Sequence, residues 1–399
     1  MGLPGFSGPA IPLARWADRQ LRLLAAETGA AAHALLQGQT LLAERGSANG
    51  YTINGRTSAG LGGSRLMATR DGGWFALTLL RTEDRELLPA LFGRDGFDMF
   101  DAHAIAREVS RHDCAELVAR GRLLGLPVAS ADECPGAAPV DVLIEGPRRV
   151  RAPGHRPVVI DLSAIWAGPL IGHLLWLAGA DVTKVESLTR PDLIRRDDPV
   201  TFALINQGKA SVVIDFHDAA QKAVLIERLR GADVVIESSR VRALRQLGID
   251  AGALVAETPG LIWLSVTGHG ARGEAAEWAG IGNDCGVAAG LARALGEACG
   301  EVGYVGDAIA DPLTGITGAR AAWRALADGR GCRIGLAMSA ITARALAEER
   351  AFDAALLDAE LRDWGAAVGG PFPRVPQRAM IAPARALGAD NAAWGLPPC

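Results

Sequence analysis

No C-x-x-C pair occurs among the six cysteines, Cys114, Cys134, Cys285, Cys299, Cys332 and Cys399, so their spacing offers neither a disulfide framework nor a zinc site. An excess of one charge is also missing: 41 Lys and Arg face 45 Asp and Glu, a net charge of −4. Such a balance gives no broad basic surface for nucleic acid, whose binding draws on clustered cations. No stretch approaches the roughly 18 consecutive apolar residues of a membrane span. The opening residues lack the apolar region of a secretory signal. A reducing, cytoplasmic setting is the expectation. There is no G-x-S-x-G elbow, no Walker A loop and no H-E-x-x-H pair. The seven histidines share no ligand spacing, so no metal is expected.

What is present is aliphatic bulk. Hydrophobic residues make up 49% of the 399, aromatic ones only 5%, and a chain of this length can bury a sizeable core in two or three domains. Residues 1–132 read as a small α+β unit. It has a helical pattern over 17–45, a glycine loop at 60–63, a strand pair flanking Asp71-Gly72-Gly73, and helices near 83–92 and 102–124. Residues 133–157, rich in Pro, Gly and Arg, read as a linker with at most one short strand, at Val142 to Glu145. Over 158–338 apolar strands alternate with helices, the signature of a parallel sheet covered on both faces. The expected fold class is α/β: a doubly wound, Rossmann-like parallel sheet with a smaller α+β domain. Residues 339–399 read as C-terminal helices and tail.

Two segments could carry chemistry. Gly268 to Gly273 is a literal G-x-G-x-x-G, but it follows a late strand, whereas a dinucleotide fingerprint belongs to the first strand-to-helix turn. No NAD is expected. Gly306 to Gly315 leads into a helical run and contains Asp311-Pro312. Asp before Pro suits a helix start, since the carboxylate can accept from free amides and Pro forfeits no hydrogen bond. A carboxylate at a helix amino end beside a sheet's strand ends also suits a covalent nucleophile. The residues alone leave both readings open.

Several segments together resemble the class III coenzyme A transferase family, the group of formyl-CoA and carnitine-CoA transferases and α-methylacyl-CoA racemases. Val159 to Ser163 with Ala167-Gly168-Pro169 resembles its opening strand and turn, and Leu177 to Glu186 is similar to its LGADVIKVE strand. Asn206 to Ser211 with Ile214-Asp215, Ala232 to Glu237 with Leu247-Gly248, and Ser265 to Gly270 resemble its following units in order. The resemblance implies a nucleophilic aspartate four residues before a glycine, a spacing that Asp311 and Gly315 have; Asp307, after Gly306, is the competing candidate.

The resemblance further implies amide donors from the loop holding Gly62 and Gly63. It places coenzyme A, the co-substrate, over Ile165, Trp166 and Ala167 and near Ser238, with phosphates met by Lys209, Arg240 or Arg190. The implied activity moves coenzyme A from an acyl-CoA to a small carboxylic acid through anhydride and aspartyl-CoA intermediates, without metal, NAD, nucleic acid or membrane, in a homodimer. The small domain stands first here, whereas the family usually places it after the Rossmann-like half. Departures from the family pattern include Ser238-Ser239, Gln246, and Ile281 where racemases carry a histidine. An acyl-CoA isomerase or racemase of the same fold, and a non-catalytic acyl-CoA-binding homologue, are the alternatives.

Overall fold

In the computed structural model, which describes residues 6–60, 63–239 and 241–398, the apolar runs form two sheets. The small one is antiparallel, built from β1 (Ser64–Ala68), β2 (Trp74–Thr78) and β3 (Val128–Ser130) in that order. The large one contains β4 (Val140–Gly146), β5 (Val158–Asp161), β6 (Asp181–Ser187), β7 (Ala210–Ile214), β8 (Val234–Glu237), β9 (Ile262–Thr267) and β10 (Gly331–Ala337). Its order is β4-β10-β9-β8-β5-β6-β7, with β5 to β10 parallel and β4 antiparallel on β10. Numbered from β5, the parallel strands run 3-2-1-4-5-6, the doubly wound Rossmann order, whose direction switches between β5 and β8.

The strand sequences explain this burial. Alternate residues of a strand face opposite sides, and here both sides are apolar. Val159, Val234, Ile236, Ile262 and Leu264 pack with Leu170, Leu174, Leu313 and Ile316 in one core. Ile160, Val235 and Trp263 pack with Leu225, Leu229, Leu254 and Val255 in another. The small sheet is likewise two-sided. Phe75 and Leu77 meet Leu88, Leu91 and Leu117, while Leu66, Ala76 and Ala129 rest on Val287, Ala288 and Ala292.

Three expectations about boundaries change. The segment read as linker contributes β4, which extends the large sheet, so the sheet begins at Val140. Residues 11–59 do not belong to the small unit: Ile11, Trp16, Leu21, Leu41, Leu42 and Ile53 lie in the same core as Leu170 and Ile316. The segment after β10 begins with one 29-residue helix, Met338–Ala366, kinked at Asp353 and seated through Leu357, Leu361 and Trp364. The tail then covers the edge of β7: the amides of Ser211 and Val213 donate to Asp390 and Asn391 at 2.8 and 2.9 Å. A covered edge cannot recruit further strands. Among the described residues no helix is long and apolar enough to cross a membrane.

Candidate active site

Asp311 sits in the first turn of helix Ala310–Ala327, yet its side chain caps nothing there. Its Oδ1 instead accepts from the Ala167 amide at 3.3 Å, at the start of helix Ala167–Leu177. The capping reading of Asp311 is therefore replaced by a carboxylate aimed across to a second helix start. Gly315 explains the D-x-x-x-G spacing physically: a Cβ there would stand 2.6 Å from the Leu170 side chain, so glycine lets the two helices close until Asp311 reaches the amide. Gly282 clears the other side, where a Cβ would collide with Asp311 Oδ2.

The carboxylate has little compensation. Asp311 is 7% exposed, and burial pushes its carboxyl up to about 7, against the pull of Arg45 and the Ala167 amide. Asp307 and Asp284 add to the rise. Asp307 stands differently: Arg45 Nε lies 3.0 Å from its Oδ2 and Arg45 Nη2 donates to its Oδ1 at 3.2 Å. The guanidinium also lies 5.0 Å from the Trp166 ring centroid and 5.8 Å from that of Tyr51. Asp307 thus holds the cation, and among the described residues Asp311 has no ion-pair partner of its own.

Backbone strain brackets this arrangement. Among the described residues only Leu13, Ile165 and Ala308 are non-glycine residues at positive φ; the last two stand two residues before Ala167 and three before Asp311. Such a residue costs about 1–3 kcal/mol and persists where its surroundings fix it. Here the Ile165 amide donates to the Asp192 carboxylate at 3.1 Å, and the Ala308 amide to Asn283 Oδ1 at 3.1 Å.

The expected coenzyme residues divide. Ile165 is half-buried and Ser238 exposed at the carboxyl ends of β5 and β8, where the Ala164 amide donates to Ser238 Oγ at 3.2 Å. Ligands of doubly wound sheets bind at such a switch point. Trp166 and Ala167 are buried: one supports Arg45 and the other orients Asp311, so neither offers a surface to coenzyme A. Lys209 is corrected outright. It is 2% exposed, and its ammonium donates to Asp161, Pro169 O and Asn206 at 2.8, 2.7 and 2.9 Å, so all three donors are spent inside the fold. Burial lowers its pKa to about 8. Gly62 and Arg240 lie outside the described residues, Gly63 joins the β1–β2 ladder by accepting from the Leu79 amide at 2.8 Å, and Arg190 is exposed.

Sequence reasoning missed Arg45 and Asp192. Arg45 lies 262 positions from Asp307, and no local pattern connects them. A cavity of about 1000 Å³ lies apart, between helix Cys114–Leu124 and residues 274–278, and Asp311 does not line it. Asp71, Asp132, Glu133 and Glu274 on its wall would repel the phosphates of coenzyme A.

Fold and site define a Rossmann-like α/β protein with a buried carboxylate held between two helix starts beside the switch point. The sequence profile of CoA-transferase family III matches residues 157–366, more than half of the chain, and the chain belongs to that family. It is 32% identical over 208 residues to a succinate–glutarate CoA-transferase of Agrobacterium fabrum, covering 48% of this chain and 52% of that protein. An acetyl-CoA:oxalate CoA-transferase of Acetobacter aceti is 30% identical over 33% of this chain and 36% of its own length. A CAIB/BAIF family protein from Brucella suis aligns structurally with a TM-score of 0.45 at 30% identity, over 51% of this chain and 59% of that one. The chain spans about half the length, or less, of the curated relatives it matches.

Proposed function

We propose that this chain moves coenzyme A from an acyl-CoA to a small carboxylic acid, with Asp311 as the covalent nucleophile. The observation carrying this reading is a buried carboxylate that has no counter-ion of its own among the described residues and is held by the Ala167 amide within the segment that matches the family. In the first step an Asp311 oxygen attacks the thioester carbonyl, the C–S bond breaks, and coenzyme A leaves as thiolate. The thiolate then attacks the aspartyl carbonyl of the anhydride, releasing the donor acid as carboxylate and leaving an aspartyl-CoA thioester. The acceptor carboxylate attacks that thioester, expelling the coenzyme A thiolate and giving a second anhydride; the thiolate then attacks the acceptor's acyl carbon, and the bond from that carbon to the Asp311 oxygen breaks, returning Asp311 to the carboxylate.

No step consumes an external oxidant, reductant or proton. Dehydration of the site raises the nucleophilicity of the carboxylate and keeps water from the anhydrides. The helix start at Ala167 supplies fixed amide polarity for the tetrahedral oxyanions. Ile165 and Ser238 border the coenzyme site in this reading, and a homodimer, as the resemblance implies, completes it.

The test is incubation with an acyl-CoA and isotopically labelled acids, with hydroxylamine added to trap the activated aspartate. Label should enter the CoA thioester pool, and mass spectrometry should place the hydroxamate on Asp311. Deuterium entry at the α-carbon without exchange would replace transfer with isomerisation, and acyl-CoA binding with neither would leave a binding protein.

A further inference from the structure

A second cluster of chemically potent side chains lies behind Gly282 and takes no part in the transfer steps. His269, in the loop after β9, and Asp284 and Cys285, in helix Gly282–Ala288, are 7%, 0% and 0% exposed. His269 Nε2 lies 3.7 Å from Asp284 Oδ2, and Cys285 Sγ lies 3.9 Å from the same oxygen. All three candidate ligand atoms fall within 4.8 Å of one another. Asp284 divides its work: Oδ1 accepts from the Ile281 amide at 3.1 Å, leaving Oδ2 turned to the histidine and cysteine. His269 Nε2 is buried with no hydrogen-bond partner among the described residues. An unpaired buried ring nitrogen costs about 1–3 kcal/mol, so its aim toward a carboxylate and a thiol asks for an occupant.

We propose that His269, Asp284 and Cys285 bind one divalent transition-metal ion of the zinc type. Tetrahedral zinc with N, O and S ligands separates neighbouring ligand atoms by about 3.3–3.6 Å, so the two pairs that include Asp284 Oδ2, at 3.7 and 3.9 Å, need to close by about 0.4 Å, and the imidazole and thiol, within 4.8 Å of each other, close by at most about 1.2 Å. A thiolate and a carboxylate neutralise the ion's charge, and the neutral imidazole completes a three-residue set, which suits a buried site. The mixture of sulfur and nitrogen favours zinc over magnesium or calcium, which take oxygen ligands. Binding releases the Cys285 thiol proton to solvent and forms three coordinate bonds. The fourth position falls to water or to the Gly268 carbonyl, 3.4 Å from Cys285 Sγ. The ion pins the loop after β9 to the helix whose first residue, Gly282, lies against Asp311. No spacing rule flags this set, because His269 stands fifteen positions before Asp284.

The full chain, stripped with a chelator, is titrated with Co²⁺ and separately with Zn²⁺. One equivalent of Co²⁺ should give visible tetrahedral bands and a near-ultraviolet thiolate-to-cobalt band, and Zn²⁺ should raise the melting temperature. Cys285→Ser should abolish the near-ultraviolet band and His269→Gln should weaken binding at least about 10-fold, while Cys114→Ser and Asp311→Asn keep both signals. Circular dichroism establishes that each variant is folded, and the two ligand variants fail independently. Absence of the thiolate band in the parent chain, or its persistence in Cys285→Ser, overturns the proposal. Neither result depends on transferase turnover.

Discussion

Two buried carboxylates stand on either side of the turn after β5, and the fold treats them in opposite ways. Asp161, 0% exposed, has Lys209 Nζ at 2.8 Å and accepts from the Ser163 hydroxyl. Burial would raise its pKa, but Lys209 and then Lys184 outweigh that, and the carboxyl sits below its ordinary value. Lys184 is held in turn by Asp192 at 2.9 Å. Asp311 is dehydrated too, yet the nearby cation is engaged by Asp307 and the carboxyl rises to about 7. Burial alone does not determine the state of an acid; the placement of cations does. The structure neutralises the acid that supports β5 and withholds full compensation from Asp311.

The sharpest test of this contrast is activity. Asp311→Asn should lower CoA exchange between acyl-CoA and labelled acid by at least about 10³-fold, as removal of a covalent nucleophile does. Asp307→Asn should cost far less, on the order of 10-fold, because it loosens Arg45 rather than removing the attacking group. Equal losses would erase the distinction between the two carboxylates. On the other side of the turn, Lys209→Met should destabilise the protein by roughly 3–5 kcal/mol in urea unfolding, because Asp161 is left buried and uncompensated. Acyl-CoA affinity of the folded fraction should stay the same; a loss confined to affinity would restore Lys209 as a phosphate ligand.

Much of the large sheet was legible because it depends on short-range pattern. Apolar strands buried on both faces read as continuous β-branched runs, and the helix between β7 and β8, Ala219–Arg230, fits the alternation of strands and helices expected over 158–338. The β4 strand was under-read because its Pro- and Arg-rich flanks resemble a linker, while its antiparallel pairing with β10 is set by residues nearly 190 positions later. Lys209 was misread for a related reason: a lysine in a polar motif looks solvated until the fold places Asp161, Pro169 and Asn206 around it. Asp311 was visible through its spacing to Gly315. Arg45 was not, since nothing in a helix near the amino terminus signals a partner at Asp307.

Stability should carry the same contrast at smaller amplitude. An acid whose pKa is about 4 unfolded and about 7 folded keeps its proton longer in the fold, so the parent chain loses stability as pH rises through that window. Asp311→Asn does not titrate. At pH 8 it should be more stable than the parent by about 4 kcal/mol, seen as a higher melting temperature, with the gap shrinking toward pH 4. A gap independent of pH would mean that Asp311 is not the group under strain.

The finest distinction concerns who sets the Asp311 charge. Among the described residues, the groups that act most on it are the cation Arg45, the Ala167 amide as donor, and the acids Asp307 and Asp284. Because the attacking form in the proposed reaction is the carboxylate, kcat/KM for exchange should rise with pH to a plateau, with a midpoint near 7. Arg45→Met removes the favourable cation and should move the midpoint up by about one unit. Asp307→Asn removes an unfavourable anion while keeping Arg45, and should move it down by a smaller amount. The displacements must have opposite signs, because the two groups act on Asp311 with opposite charge. Shifts of one sign, measured on variants with unchanged circular dichroism, would show that burial alone governs Asp311 and that the Arg45–Asp307 pair only packs.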